Sequence, residues 1–186
     1  KEGSNFIING KKTFVIDGAS ADLIILLART SGNKGDMVGL TLFLVDANLS
    51  GVDKIKLDMA DSRNYSNINF NNVKIPDIDI LGDLETGGET IENILDIARI
   101  AMASEMLGNA EAAFETTLDY LKERKQFGAL IGSFQALQHR AAEMFCEIEL
   151  TKSSVMGAMK AADEGSNELQ RLSSLAKTMA GETLHL

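Results

Sequence analysis

The 186 residues are 45% hydrophobic and carry a formal net charge of -9, enough apolar content to bury the core of one ordinary domain or two small ones. The acidic balance argues against nucleic acid or an anionic membrane surface as the main partner, because both select basic faces, so a bound phosphate must be held by local cations. No apolar run reaches the roughly 20 residues of a membrane span, and the start lacks a charged and then apolar leader, which predicts a soluble protein of cytoplasmic type.

Phe6-Ile7-Ile8, then Asn9-Gly10, then Lys11 to Ile16 read as strand, two-residue turn and strand, since Asn-Gly supplies the positive φ angles of a type I′ hairpin. Leu23 to Arg29 and Leu40 to Asp46 are continuous apolar runs on either side of the polar Thr30 to Asp36, and predict strands buried on both faces. Val52 to Asp58 is a weaker strand, and Asn67 to Val73 alternates around Ile68 and Phe70. The only proline, Pro76, follows at its end, where a missing N–H does no harm. Residues 1–80 therefore predict an antiparallel β-sheet or barrel unit.

After Gly82 the apolar period changes to that of a helix. Thr86 with Glu89 fits a capping box, and Ile91, Ile94, Leu95, Ala98, Met102 and Met106 form one stripe, continued by Leu107, Ala110, Phe114, Leu118 and Leu121. This predicts a helix of about 35 residues, roughly 50 Å long. Ser133 is placed to cap a second helix with the stripe Phe134, Leu137, Ala141, Phe145 and Ile148, which stops at Gly165. A third starts near Asn167 with Leu169, Leu172, Ala176 and Met179 and is cut off by the chain end at Leu186, which suggests a fragment. The fold class is thus α+β: the β unit, then at 81–186 long antiparallel helices of an incomplete up-and-down four-helix bundle. The lone Cys146 cannot form an internal disulfide and, in a helical pattern, predicts a buried, inert thiol in a reducing compartment.

Chemistry concentrates between Tyr120 and Met144. Lys122, Arg124 and Lys125 reverse the sign of the charge locally, next to a segment broken at Gly128 and Gly132. Arg124 offers a planar fork that matches phosphate oxygens, and Gln126, Phe127, Phe134 and Gln135 add amide groups and flat apolar surface. Such a set suits a ligand with phosphates and an aromatic ring. Asp96 and Arg99, three residues apart, share one helix face and on chemistry alone form a surface ion pair. There is no credible metal cluster, P-loop or dinucleotide glycine fingerprint, and neither His139 nor His185 has a nucleophile to serve.

The run Arg124-Lys125-Gln126-Phe127-Gly128, followed by Ile131, Phe134-Gln135 and Gln138, resembles the C-terminal-domain signature of the FAD-dependent acyl-CoA dehydrogenases. The order of β-rich stretch and helices resembles that family over nearly all 186 residues. The resemblance implies FAD as cofactor, with Arg124, Gln126, Phe127, Phe134 and Gln135 contacting it across a subunit interface. It also implies that Phe14 and Val15 lie beside the flavin ring, with Ile16 where the family usually has a hydroxyl. Asp96 and Arg99 match the segment that lines the acyl-CoA site. An electron-transfer-flavoprotein-type acceptor and a homo- or hetero-oligomer are implied as partners.

The implied reaction removes the acyl Cα proton and transfers the β hydride to flavin, giving a 2,3-enoyl-CoA, and it needs a carboxylate base. One of the family's two base positions is occupied here by Ala98 and the other falls beyond these residues, so no catalytic glutamate is expected in this chain. A non-catalytic partner subunit of the same architecture is the alternative, favoured by Ile16.

Overall fold

The computed structural model describes residues 1–61 and 63–185, and the chain divides into two compact units, 1–91 and 92–186. The first unit contains β1 (Asn5–Val15), β2 (Leu23–Arg29), β3 (Leu40–Asp46), β4 (Val52–Lys56), β5 (Ser66–Pro76) and the two-residue β6 (Ile80–Leu81). They form two antiparallel sheets, ordered β1-β5-β4 and β2-β3-β6. Alternation sends Phe6, Ile8, Ile24, Leu26, Phe43, Val45, Ile68 and Phe70 into one core. Phe6 of one sheet meets Phe43 of the other edge to face, with ring centroids 5.2 Å apart.

Two strand expectations fail for identifiable reasons. Asn9-Gly10 does not turn a hairpin; β1 runs unbroken against β5 and its register slips between Ile8 and Gly10. Opposite the slip Asn72 adopts φ +52; its N–H donates to Asn9 Oδ1 at 2.8 Å, and Asn9 Nδ2 donates to Asn72 Oδ1 at 3.1 Å. The signal marks a β-bulge, because a long partner strand satisfies more backbone groups than a local turn can. β2 buries Ile24 and Leu26 but exposes Leu23 and Ile25, so only one of its faces is covered. It stands at the edge of its sheet, whereas β3, between two strands, buries Leu42 and Phe43 on opposite faces.

The second unit is helical. α1 (Gly87–Glu123) has 37 residues, close to the expected length, although it begins in the first unit. The capping box is not made: the Thr86 hydroxyl closes the preceding turn by donating to the Asp83 carbonyl at 2.9 Å. α2 (Gln135–Asp163) is entered through Phe134, not Ser133, whose hydroxyl donates to the Leu130 carbonyl at 2.7 Å in a 3-10 turn. It stops as expected at Gly165, at φ +61, where the Ser166 N–H reaches the Ala161 carbonyl and the Gly165 N–H the Ala162 carbonyl, a Schellman ending. α3 (Leu169–Thr183) ends with Leu184 as its cap, before the expected cut at Leu186, which lies outside the described residues.

Ile100, Ala103, Leu107, Ala110 and Phe114 of α1 join Ile148, Val155 and Ala158 of α2 and Ala176 and Ala180 of α3 in one core. The expected stripe over Ile94, Leu95, Ala98 and Met102 faces outward instead. This half of α1 is apolar almost all round, so periodicity alone could not choose its inner face. Cys146 is exposed, contrary to expectation, because the buried face of α2 runs through Ile148, Thr151 and Val155. Among the described residues no helix is long and apolar enough to cross a membrane.

Phe43, with no exposed surface, holds the two sheets together. Phe43→Ala is expected to cost about 3–5 kcal/mol, measurable as a lower urea midpoint for the β unit; a loss under 1 kcal/mol would show that the sheets close over the gap.

Candidate functional site

In the β unit, Phe14 sits in a second register slip of β1, between Lys12 and Val15. Its φ is +52 and its N–H donates to Asn67 Oδ1 at 3.3 Å. The side chain is therefore turned out of the strand pattern and is 61% exposed. Ile16 is exposed too, while Val15 packs against the core. Nearby, burial holds the Lys12 ammonium below the usual lysine range. An aromatic residue in the left-handed region costs on the order of 1–3 kcal/mol, a cost retained mostly where a side chain must be presented.

In the helical unit, the chain leaves α1 and forms a hairpin of β7 (Lys125–Gln126) and β8 (Ala129–Leu130), with Phe127 and Gly128 as the two turn residues. Their φ values of +54 and +77 suit a type I′ turn, which normally takes Asn or Gly at the first position. Phe127 occupies it at 94% exposure, and its ring lies edge-on to Phe134 with centroids 6.3 Å apart. The hairpin is anchored by the Ile131 N–H donating to the Arg124 carbonyl at 2.9 Å. Gly132 allows its return past α1: a Cβ there would stand 2.7 Å from the Leu121 carbonyl oxygen.

This loop gathers five of the sequence-identified residues, Arg124, Gln126, Phe127, Phe134 and Gln135, all exposed. Gln126 Nε2 donates to the Lys125 carbonyl at 2.8 Å, and Lys122 is 3.4 Å from Asp119. Among the described residues the Arg124 guanidinium makes no hydrogen bond or ion pair, so all of its N–H donors are available to a ligand.

Asp96 and Arg99 do not form a surface pair. Asp96 is 4% exposed, and its Oδ1 accepts from Arg99 Nη1 at 2.5 Å and from the Ser173 hydroxyl of α3 at 2.8 Å. It lines a polar cleft of about 400 Å³ with Glu92, Asn93 and the α2–α3 turn. Sequence reasoning missed Ser173; the available signal was a polar residue within the apolar spacing Leu169, Ser173, Ala176, Ala180. Ala98 is exposed on the same helix and offers no proton acceptor.

Comparison with known proteins identifies the family of the chain. Residues 85–186 match the model of the acyl-CoA dehydrogenase C-terminal domain, and residues 1–73 that of the acyl-CoA dehydrogenase middle domain. A 3-(aryl)acrylate reductase of Clostridium sporogenes is 36% identical over 98% of this chain and 49% of its own length. The caffeyl-CoA reductase-Etf complex subunit CarC of Acetobacterium woodii is 32% identical over 97% of this chain and 48% of its own. The structure of butyryl-CoA dehydrogenase from Megasphaera elsdenii superposes with a TM-score of 0.86 at 30% identity, covering 98% of this chain and 48% of that one. The chain thus spans about half the length of the curated relatives it matches.

Replacing Phe127 by a residue that tolerates positive φ tests whether the turn is strained. Phe127→Asn is expected to raise the stability of the helical unit by about 1 kcal/mol, read from its thermal midpoint; a lower midpoint would mean that the ring contributes packing which outweighs the strain.

Proposed function

Because the chain belongs to the acyl-CoA dehydrogenase family, we propose that it forms the later part of the middle β domain (1–80) and the first helices of the C-terminal domain (81–186) of an FAD-dependent enzyme. The enzyme converts an acyl-CoA thioester to the 2,3-enoyl-CoA. The observation that carries this reading is the hairpin at 124–128, where a guanidinium without a partner among the described residues stands beside an exposed ring held at positive φ. An exposed ring held at positive φ costs backbone energy, whereas a ligand with phosphates and flat rings uses both features.

The residues present fit FAD on these grounds. Arg124 binds the pyrophosphate and adenosine end through its fork, Gln126 and Gln135 supply amide donors and acceptors, and Phe127 and Phe134 give apolar contact. In the β unit, the outward Phe14 with Val15 lines the flavin ring; Ile16 excludes water there but cannot donate a hydrogen bond. When bound, FAD supplies the acceptor for the β hydride. Arg99 holds the thioester arm of the acyl-CoA, and Asp96 orients Arg99. With Ala98 at one base position, these residues contain no base for the Cα proton.

The Etf complex named for one relative supports an electron-transfer-flavoprotein-type acceptor. Ile94 and Met102 of α1 and Phe145 and Met156 of α2 are exposed apolar groups that support a homo- or hetero-oligomer. A cytoplasmic location is part of the same reading. Ile16, where a hydroxyl is expected, favours the second reading, a non-catalytic partner subunit.

Spectroscopy separates the two. These residues alone are not expected to turn over substrate; the full-length, flavin-loaded protein that contains them is expected to absorb between 350 and 500 nm and to bleach with at least one acyl-CoA of a thioester panel. Arg124→Ala is expected to weaken FAD binding about 10- to 100-fold, the loss of one or two charge-assisted hydrogen bonds, without changing the fold. A yellow protein that no thioester bleaches would favour the partner-subunit reading, and undiminished FAD retention in Arg124→Ala would remove the role given to that side chain.

A further inference from the structure

We propose that Ser173 is a positioning residue for acyl-CoA binding: its hydroxyl, delivered from α3, holds the Asp96 carboxylate so that Asp96 in turn fixes the guanidinium of Arg99. This rests on the function proposed above, and it assigns a role to a residue remote in sequence from every signature motif. Three observations support it.

First, both donors converge on a single oxygen, Asp96 Oδ1: Arg99 Nη1 at 2.5 Å and Ser173 Oγ at 2.8 Å, from a helix 77 residues away. Second, Ser173 has no exposed surface, so water cannot take over its place. Its hydroxyl also lies 3.1 Å from the Gln170 carbonyl of its own helix, but it has one proton, and the shorter bond to a carboxylate is the stronger. Third, the Arg99 side chain is 33% exposed, and among the described residues Asp96 is its only partner. The guanidinium is thus tethered by one nitrogen while its remaining N–H groups stay available.

A side chain with many rotamers binds better when its bound orientation is set beforehand, because less freedom is lost on binding. A hydrogen bond between helices sets it here. Within α1, Asp96 and Arg99 can pair whatever the rest of the bundle does. Only the bond to Ser173 ties the orientation of the carboxylate to the bundle, and through it the direction of the arginine fork.

The test uses Ser173→Ala, Ser173→Thr, Arg99→Ala and the double variant Ser173→Ala/Arg99→Ala in the full-length, flavin-loaded protein that contains these residues. Ser173→Ala is expected to raise KM for the acyl-CoA roughly 3- to 10-fold, the range of one hydrogen bond, with kcat changed less than twofold. Ser173→Thr is expected to restore KM, and in the Arg99→Ala background Ser173→Ala is expected to add nothing. A readout free of turnover is the Arg99 Nε–H resonance in a nitrogen-15 correlation spectrum, resolved in the parent and broadened in Ser173→Ala. If Arg99→Ala raises KM while Ser173→Ala leaves both KM and the resonance unchanged, the positioning role is overturned and the proposed function stands. If no acyl-CoA bleaches the parent, the proposed function fails and takes this role with it; a Ser173→Ala resonance change would then report architecture alone.

Discussion

A carboxylate cannot be removed from water without hydrogen-bond donors to replace it, and that requirement at Asp96 constrains the helical unit. The Arg99 partner is local to α1, but the Ser173 partner sets α1 against α3. A second buried pair, the Thr151 and Thr183 hydroxyls at 2.7 Å, does the same for α2 and α3. Around them the core is built largely of alanines, among them Ala103, Ala158, Ala176 and Ala180, which let the helices approach closely but interlock little. Polar pins in a small-residue core specify a register that apolar contact alone would leave loose.

Each unit also holds an aromatic residue at positive φ: Phe14 in a bulge of β1 and Phe127 in the turn between β7 and β8. The local devices differ, a slipped register in one case and a two-residue turn in the other. The physical outcome is the same, a ring directed into solvent at a cost in backbone energy. Strain of this kind persists only where the surrounding structure over-determines it, here through the Phe14 N–H bond to Asn67 and the anchoring of the hairpin at Arg124.

Most element types were legible in the sequence, because alternation around Ile68 and Phe70 and the spacing from Ile100 to Phe114 are strong signals of period two and 3.6. What was not legible depended on partners distant in the chain. Asn9-Gly10 carries a correct local message about positive φ, but the residue that adopts φ +52 is Asn72 on the opposing strand. The inner face of α1 before Leu107 was undecided because Ile94, Leu95, Ile97 and Ile100 surround the helix. The candidate loop at 124–135 could be singled out from residue types alone, whereas the burial of Asp96 could not, since nothing near it in sequence points to Ser173.

The short hairpin also determines how the molecule meets a protease. Arg124 and Lys125, just past the end of α1, offer two adjacent bonds to a trypsin-like enzyme, and β7 and β8 are each only two residues long. A strained turn on so short a ladder is expected to open at lower cost than the long helices it joins. A ligand that clamps Arg124 and Phe127 would therefore also shield these bonds, since the features that leave this loop open to a ligand leave it open to a protease as well.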